Sequence, residues 1–411
     1  MKNWITLAIL LLLTASYGIA QPTYNDLSGQ DNDQLRTITT AVPFLLIAPD
    51  ARAGALGDVG VATSPDANSM HWNPAKYAFI DNKMGFSVSF TPWLRNLGIN
   101  DMYLAYLTGY FKIDDRQAIA SSLRFFTLGE IIFTNIGGEV EGIYKPTEWA
   151  LDATYSRKFS ENWSGAVAGR FIYSNLTQGQ TVGGAETSAG ISVAADVSVF
   201  YTKELDLGNM DGNINWGLNI SNIGTKISYS ETTIEKDFIP TNFRTGTAFQ
   251  MNIDEFNSLT FTVDINKLLV PTPPIYARDE EGNFLVGPDG EFVVAEGLDP
   301  DVSVVQGMIQ SWYDAPDGFQ EEMREFYFGI GTEYWYNKRF AIRAGFFYED
   351  KYKGNRKFFT LGAGLKYNVF GLDFAYLIPT EQQNPLANTL RFTLLFDFEA
   401  FNRQGDSTPE N

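Results

Sequence analysis

The chain has 411 residues, is 44% hydrophobic and 15% aromatic, and carries 30 Lys+Arg against 49 Asp+Glu, a formal charge of −19. With no cysteine and a single histidine, disulfide frameworks, thiol catalysis and thiolate metal sites are excluded, and Ser–His chemistry could draw only on His71. The acidic balance argues against a nucleic-acid partner, and no set of residues suits a cofactor, a metal or a catalytic centre.

In chain order, the first residues read as an address. Met1-Lys2-Asn3 is a short basic start, 5–13 is apolar, and Tyr17-Gly18-Ile19-Ala20 offers small residues before Gln21. An apolar run this short falls below the ~20 residues a spanning helix needs, so 1–20 is expected to be a signal peptide and the protein exported. The alternative is a membrane anchor.

Residues 21–83 form the next unit. The run Ala51-Arg52-Ala53-Gly54-Ala55-Leu56-Gly57-Asp58 is built from small side chains, and His71-Trp72-Asn73-Pro74-Ala75 follows a short helical turn. Small side chains let a segment fold back into a barrel whose own side chains cannot fill it, so a plug is expected here, with His71, Trp72, Asn73, Pro74 and Ala75 among its residues. A periplasmic arm is the other reading.

From residue 84 the pattern is alternation. Phe370, Leu372, Phe374, Tyr376 and Ile378 share one face, opposite Gly371, Asp373, Ala375 and Leu377. Strands are expected at 84–92, 102–112, 116–127, 147–158, 162–175, 187–202, 212–222, 241–251, 258–267, 324–336, 339–350, 356–367, 369–378 and 388–398. Their lengths exceed the ~5–6 residues usual in soluble sheets, their polar faces are rich in Gly, Ser, Ala and Asn, and aromatics such as Trp93, Trp149, Trp163 and Tyr367 sit at strand ends. These features favour an all-β transmembrane fold over a soluble sandwich. The expected architecture is a 14-stranded antiparallel outer-membrane β-barrel spanning 84–398, in a Gram-negative envelope and in contact with outer-membrane lipid. Short and long connections alternate, which places both barrel termini in the periplasm.

The longest connection, 268–323, is expected to be an extracellular loop. Its Pro273-Pro274 root, its acids and its aromatics suit protein docking, with Tyr276, Phe284, Phe292, Met308, Trp312 and Tyr313 as the partner-binding candidates. A lid over the barrel's own mouth is the alternative. Near the C-terminus Arg391, Asp373 and Asp397 fall on the inward faces of neighbouring strands, as a lumen charge network holding the plug. A polar tail, 399–411, closes the chain.

The run Ala48-Pro49-Asp50-Ala51-Arg52-Ala53-Gly54-Ala55-Leu56-Gly57-Asp58, then Trp72-Asn73-Pro74-Ala75, then fourteen strands, resembles the PorV (LptO) family of the type IX secretion system, relatives of the FadL transporters. The resemblance implies a non-enzymatic shuttle. It would dock beside a giant translocon barrel of the SprA/Sov type, accept cargo through a C-terminal signal domain, and pass it to a sortase-containing attachment complex. Loops 268–323 and 223–240 are the expected contact surfaces. Two rivals stay open: FadL-like uptake of hydrophobic small molecules, and an outer-membrane enzyme using His71.

Overall fold

The computed structural model describes residues 36–95, 98–134, 140–179, 181–182, 185–208, 210–230, 236–288, 290–380 and 389–398. Residues 1–20, expected to be a signal peptide, and 399–411, expected to be a polar tail, lie outside the described residues.

Fourteen strands close into one antiparallel barrel. In chain order they are β1 (Met84–Pro92), β2 (Tyr103–Asp114), β3 (Gln117–Thr127), β4 (Thr147–Lys158), β5 (Trp163–Asn175), β6 (Gly190–Asp206), β7 (Asp211–Gly224), β8 (Asn242–Asn252), β9 (Asn257–Leu268), β10 (Tyr327–Tyr336), β11 (Phe340–Tyr348), β12 (Lys357–Tyr367), β13 (Phe370–Pro379) and β14 (Leu390–Asp397). Each pairs with its neighbour in sequence, and β1 closes on β14 through Gly85↔Asp397 to Phe90↔Phe392. Closure leaves no open sheet edge, so the backbone groups are satisfied within the wall.

Side-chain parity is inverted relative to a protein in water. On β3, Ile119 and Leu123 are exposed while Ala118, Ala120, Ser122 and Arg124 are buried, and β13 and β14 repeat the pattern. Large apolar groups thus cover the outer wall and polar groups line the lumen, as a bilayer requires. Aromatic pairs mark both rims: Trp149 with Tyr173 and Phe90 with Tyr103 at one end, Trp163 with Tyr201 and Trp216 at the other. Trp93, expected on the outer girdle, instead joins an apolar cluster inside the mouth with Phe44, Leu104 and Phe126.

One end of the barrel carries only short turns. At the β10–β11 turn Asn337 and Lys338 take left-handed conformations (φ 51°), and Asn368 does so at the β12–β13 turn (φ 52°), which lets the chain reverse tightly. The other end carries the long connections, with hairpins at Ile131–Thr134/Val140–Tyr144 and Ile275–Tyr276/Val294–Glu296. Most boundaries fall within two residues of expectation, and two of the larger differences change the connections. β6 runs on to Asp206, shortening the following turn, and β10 starts at Tyr327 because Phe319–Arg324 is helical.

Residues 37–80 thread the lumen. Ala41 N–H donates to Phe238 O at the long-loop end (2.9 Å), Asp58 and Gly60 meet strands at mid-height, and Met70 and Tyr77 pack near the short-turn end. Hydrogen bonds from this one segment reach β1, β2, β3, β4, β5, β6, β7, β9, β10, β12 and β14. A segment bonded to strands all round a closed ring lies within it. Deleting 42–75 should therefore raise conductance in planar bilayers while the intact protein stays nearly silent. A large steady conductance from intact protein would show that the segment does not seal the lumen.

Candidate functional site

Of the four short helical turns in the threaded segment, two show most plainly how the sequence dictates them locally. Asp50 caps Ala51–Gly54, accepting from Ala53 N–H (2.9 Å) and from Trp72 Nε1 (2.6 Å). Pro74 opens the 3₁₀ turn Pro74–Phe79, which Asn73 Oδ1 caps through Ala75 N–H (3.0 Å). Asn73 Nδ2 also donates to Val61 O and to Val199 O on β6 (3.0 Å each), so one amide ties two passes of the segment to the wall. Ala75 N–H donates to Ser198 Oγ, and its carbonyl accepts from Ser164 and Ser156. Trp72 lies under the Arg244 guanidinium, 4.6 Å from the ring centre. His71 Nδ1 accepts from Arg124 at 2.7 Å, which sets it as a neutral imidazole.

The small residues have a steric reason. Leu56 and Gly57 run against the wall so closely that a Cβ on Gly345 would stand 2.1 Å from the Gly57 nitrogen, and one on Gly362 2.3 Å from Ala55 Cβ. Gly57 itself has φ +76°, and its Cβ would meet the Phe346 carbonyl at 2.6 Å. Backbone lies on backbone here.

Charge fastens the same stretch. Arg391 NH1 reaches Asp58 Oδ1 at 2.5 Å, so this lumen arginine grips the segment itself. Asp373 belongs to a separate chain of pairs running Asp66–Arg52–Glu333–Arg343–Asp373, at 2.8, 2.8, 2.6 and 2.6 Å. Asp397 bonds Asn82 near the short-turn end. The three expected lumen charges are thus not joined in one network. Arg52 and Asp58, which the sequence reading placed in the small-residue run but gave no charge role, and Glu333 and Arg343, which it did not single out, complete the ties. Glu333 and Arg343 could have been flagged by parity, since both share a face with glycine or alanine along their strands.

Below this layer a polar cavity of about 870 Å³ opens at the short-turn end, lined among others by Ser64, Gln250, Thr260, Glu333, Trp335 and Lys366. Replacing Arg391 with Met would take from Asp58 its guanidinium, and Arg52→Met would take the cation from Asp66 and leave Glu333 with Arg343 alone, a loss of about 3–5 kcal/mol where the stranded carboxylate is buried. Either variant should lower the temperature of the heat-modifiable mobility shift; an unchanged shift in both would mean that lumen water already solvates these groups.

The long loop splits into two halves. In the hairpin half Tyr276, Phe284 and Phe292 stack together, with ring centres 5.2–6.1 Å apart, and Phe284 and Phe292 stay exposed. The other half holds helices Val304–Gln310 and Phe319–Arg324. There Met308 is half-buried, Tyr313 is exposed, and Trp312 packs on Phe243 and Phe326, with ring centres at 5.5 and 6.2 Å. A buried latch holds this half to the barrel: Lys267 with Glu322 (3.1 Å) and Glu325 (2.5 Å), and Lys353 with Glu321 (2.7 Å) and Glu325 (2.9 Å). The expected six-residue patch is therefore two patches.

Asp314 sits beside the latch, accepting from Thr272 N–H at 3.1 Å. Burial, with the Glu325 and Glu322 charges adding to it, raises its carboxyl from 3.8 to about 6. The folded loop thus holds this proton more tightly than the unfolded chain. The resulting stability is full below the unfolded value of 3.8 and is lost as pH rises through about 6. Hydrogen exchange across 304–325, corrected for intrinsic rate, should be slower at about pH 5 than at about pH 7, and Asp314→Asn should abolish the difference. Equal protection at both values in the unaltered protein would exclude this coupling.

The sequence matches the family model described as type IX secretion system protein PorV over residues 30–275, more than half of the chain. No curated protein matches it. Among solved structures it is similar to the toluene transporter TbuX of Ralstonia pickettii, at 10% identity and a TM-score of 0.43, covering 86% of this chain and 100% of that one. It is also similar to the toluene transporter TodX of Pseudomonas putida (12%, TM-score 0.44, 88% and 98% covered) and to a Pseudomonas aeruginosa FadL homologue (10%, 0.41, 88% and 99%). A closed fourteen-strand barrel with an apolar exterior is an outer-membrane fold, and the family model adds the machinery it serves. This chain belongs to the PorV family of type IX secretion system proteins.

Proposed function

We propose that this barrel is a non-enzymatic carrier of the secretion system. It docks beside a large translocon barrel of the SprA/Sov type, accepts cargo through a C-terminal signal domain, and delivers it to a sortase-containing attachment complex at the cell surface. In this reading both barrel termini face the periplasm and the long loops face outward. Residues 21–83 act as a plug.

The observation that carries the reading is the threaded lumen. A barrel occupied by its own chain from the long-loop end to the short-turn end offers cargo no conduit, so partners must be met on the outside. The hairpin half of the long loop is the surface built for that. Phe284, Val286 and Phe292 are 43%, 58% and 52% exposed on a short β-ribbon flanked by acids such as Glu280 and Glu281. Interface energy concentrates in a few such aromatics, while rim charges mostly tune association. The neighbouring connection 223–240 lies beside the loop through the Lys226–Asp301 pair (3.0 Å) and is assigned to cargo; its residues 231–235 lie outside the described residues.

The FadL-like alternative needs an apolar pocket reached through the wall or the mouth. An apolar hollow of about 810 Å³ lies on the outer wall, at Phe86, Phe111, Ile119 and Val167, on the face that meets lipid rather than leading inward. The internal one is polar. Both observations favour secretion.

Affinity purification in mild detergent tests the proposal. A very large barrel protein should co-purify, and Phe284→Ala with Phe292→Ala should weaken its capture about a hundredfold or more, at about 2 kcal/mol per aromatic anchor. A folded double variant that binds and displays cargo normally would move the docking surface elsewhere. A protein that purifies alone with a bound fatty acid would favour uptake.

A further inference from the structure

The helical half of the long loop is folded inside out. Val304–Gln310 buries Gly307 and Gln310, the former against Phe238 and Pro271, and exposes Val305 and Ile309 (65% and 59%). Phe319–Arg324 buries Glu321 and Glu322 and exposes Phe319 and Met323 (79% and 49%). Between 314 and 325 the acids Asp314, Glu321, Glu322 and Glu325 are all buried, and only Asp317 is exposed. A surface helix in water turns its polar face outward. Both of these expose large apolar side chains, beside Gln306 and Gln320, and turn polar ones inward, where Glu321, Glu322 and Glu325 pair with Lys267 and Lys353.

The position of Lys267 shows where this half lies. Asn266 faces the lumen, bonded to Arg244, so the next residue on β9 points outward at the rim. A bare lysine there would interrupt the aromatic belt of the wall. Lys267 is instead fully buried beneath the loop, with Trp312 and Phe326 ring centres 5.9 and 5.4 Å from its ammonium. Trp312 packs edge-on against Phe243, an outward residue at the start of β8. The loop has therefore folded over the rim onto the outside of β8–β10, at the level that Tyr103, Phe125, Trp149 and Tyr173 occupy on β2–β5. Trp and Tyr at that level sit in the headgroup layer, and short helices with apolar outer faces lie in the same plane.

We propose that this half of the loop is a membrane anchor: the faces carrying Val305, Ile309, Trp312, Tyr313, Phe319 and Met323 rest in the lipid headgroup layer at the long-loop end of the barrel. The occupant is lipid because the face continues the lipid-facing wall without a polar break at Lys267. The proposal depends on the outer-membrane barrel and not on the docking role of the hairpin half. It assigns Trp312 and Tyr313 to the bilayer rather than to a partner.

The chain has no cysteine, so single nitroxide labels can be placed cleanly. Full-length Ile309→Cys and Phe319→Cys variants, labelled and reconstituted into phosphatidylcholine–phosphatidylglycerol liposomes, are compared with Phe261→Cys on the outer wall and Glu280→Cys on the hairpin. Heat-modifiable mobility confirms that each is folded. The labels at 309 and 319 should fall between the two controls, with collisions with an aqueous nickel chelate several-fold fewer than at position 280 and an oxygen-to-nickel ratio below that of the wall label. Accessibility to nickel equal to that at position 280 overturns the anchor. Protection found in native membranes but absent from liposomes overturns it too, by assigning the face to a protein partner.

Discussion

Closing fourteen strands into a ring creates a lumen that inward side chains alone do not fill, and the rest of the structure answers that constraint. The answer is a segment of the same chain, threaded lengthwise. It fits because both surfaces are stripped of bulk where they meet: Ala55, Leu56 and Gly57 against Gly331, Gly345 and Gly362. Backbone so close to backbone needs fixed positions on both sides. Hydrogen bonds donated by Ser156 and Ser164, and accepted by Ser198, Thr360 and Thr393, supply them around the ring.

The same constraint explains why charge lies buried in the lumen. A carboxylate or guanidinium there is tolerated only when paired and hydrogen-bonded, and removing one partner costs more than the pair contributes. Arg52 illustrates the result, meeting Glu333 on the wall and Asp66 on its own segment. Such pairs specify one seating of the segment. An apolar filling would leave its height in the barrel less defined.

Outside the ring the solvent rule is reversed, and one rule accounts for both wall and loop. Apolar residues face outward along every strand, and the helices beyond β9 follow the same logic by turning Glu321 and Glu322 in and Phe319 and Met323 out. The hairpin half of that loop carries its aromatics as a self-stacked cluster instead. A single connection is thereby divided between two environments.

Much of this was legible in the residues. Alternation is a local property of strands, so periodicity alone located all fourteen within a few residues and showed which side of each was inward, including Arg391 and Asp373. The small-residue run likewise announced a segment that must approach another backbone. The helices at 304–310 and 319–324 were not legible, because each is under two turns long and is held by tertiary ion pairs rather than by its own periodicity. Nor was the pairing of the inward charges. Arg391 meets Asp58 across 333 positions and Arg52 meets Glu333 across 281, and such meetings depend on the stagger of the closed ring and the height at which the segment is threaded. Parity is decided one residue at a time, but a partner is decided only when the whole ring has closed.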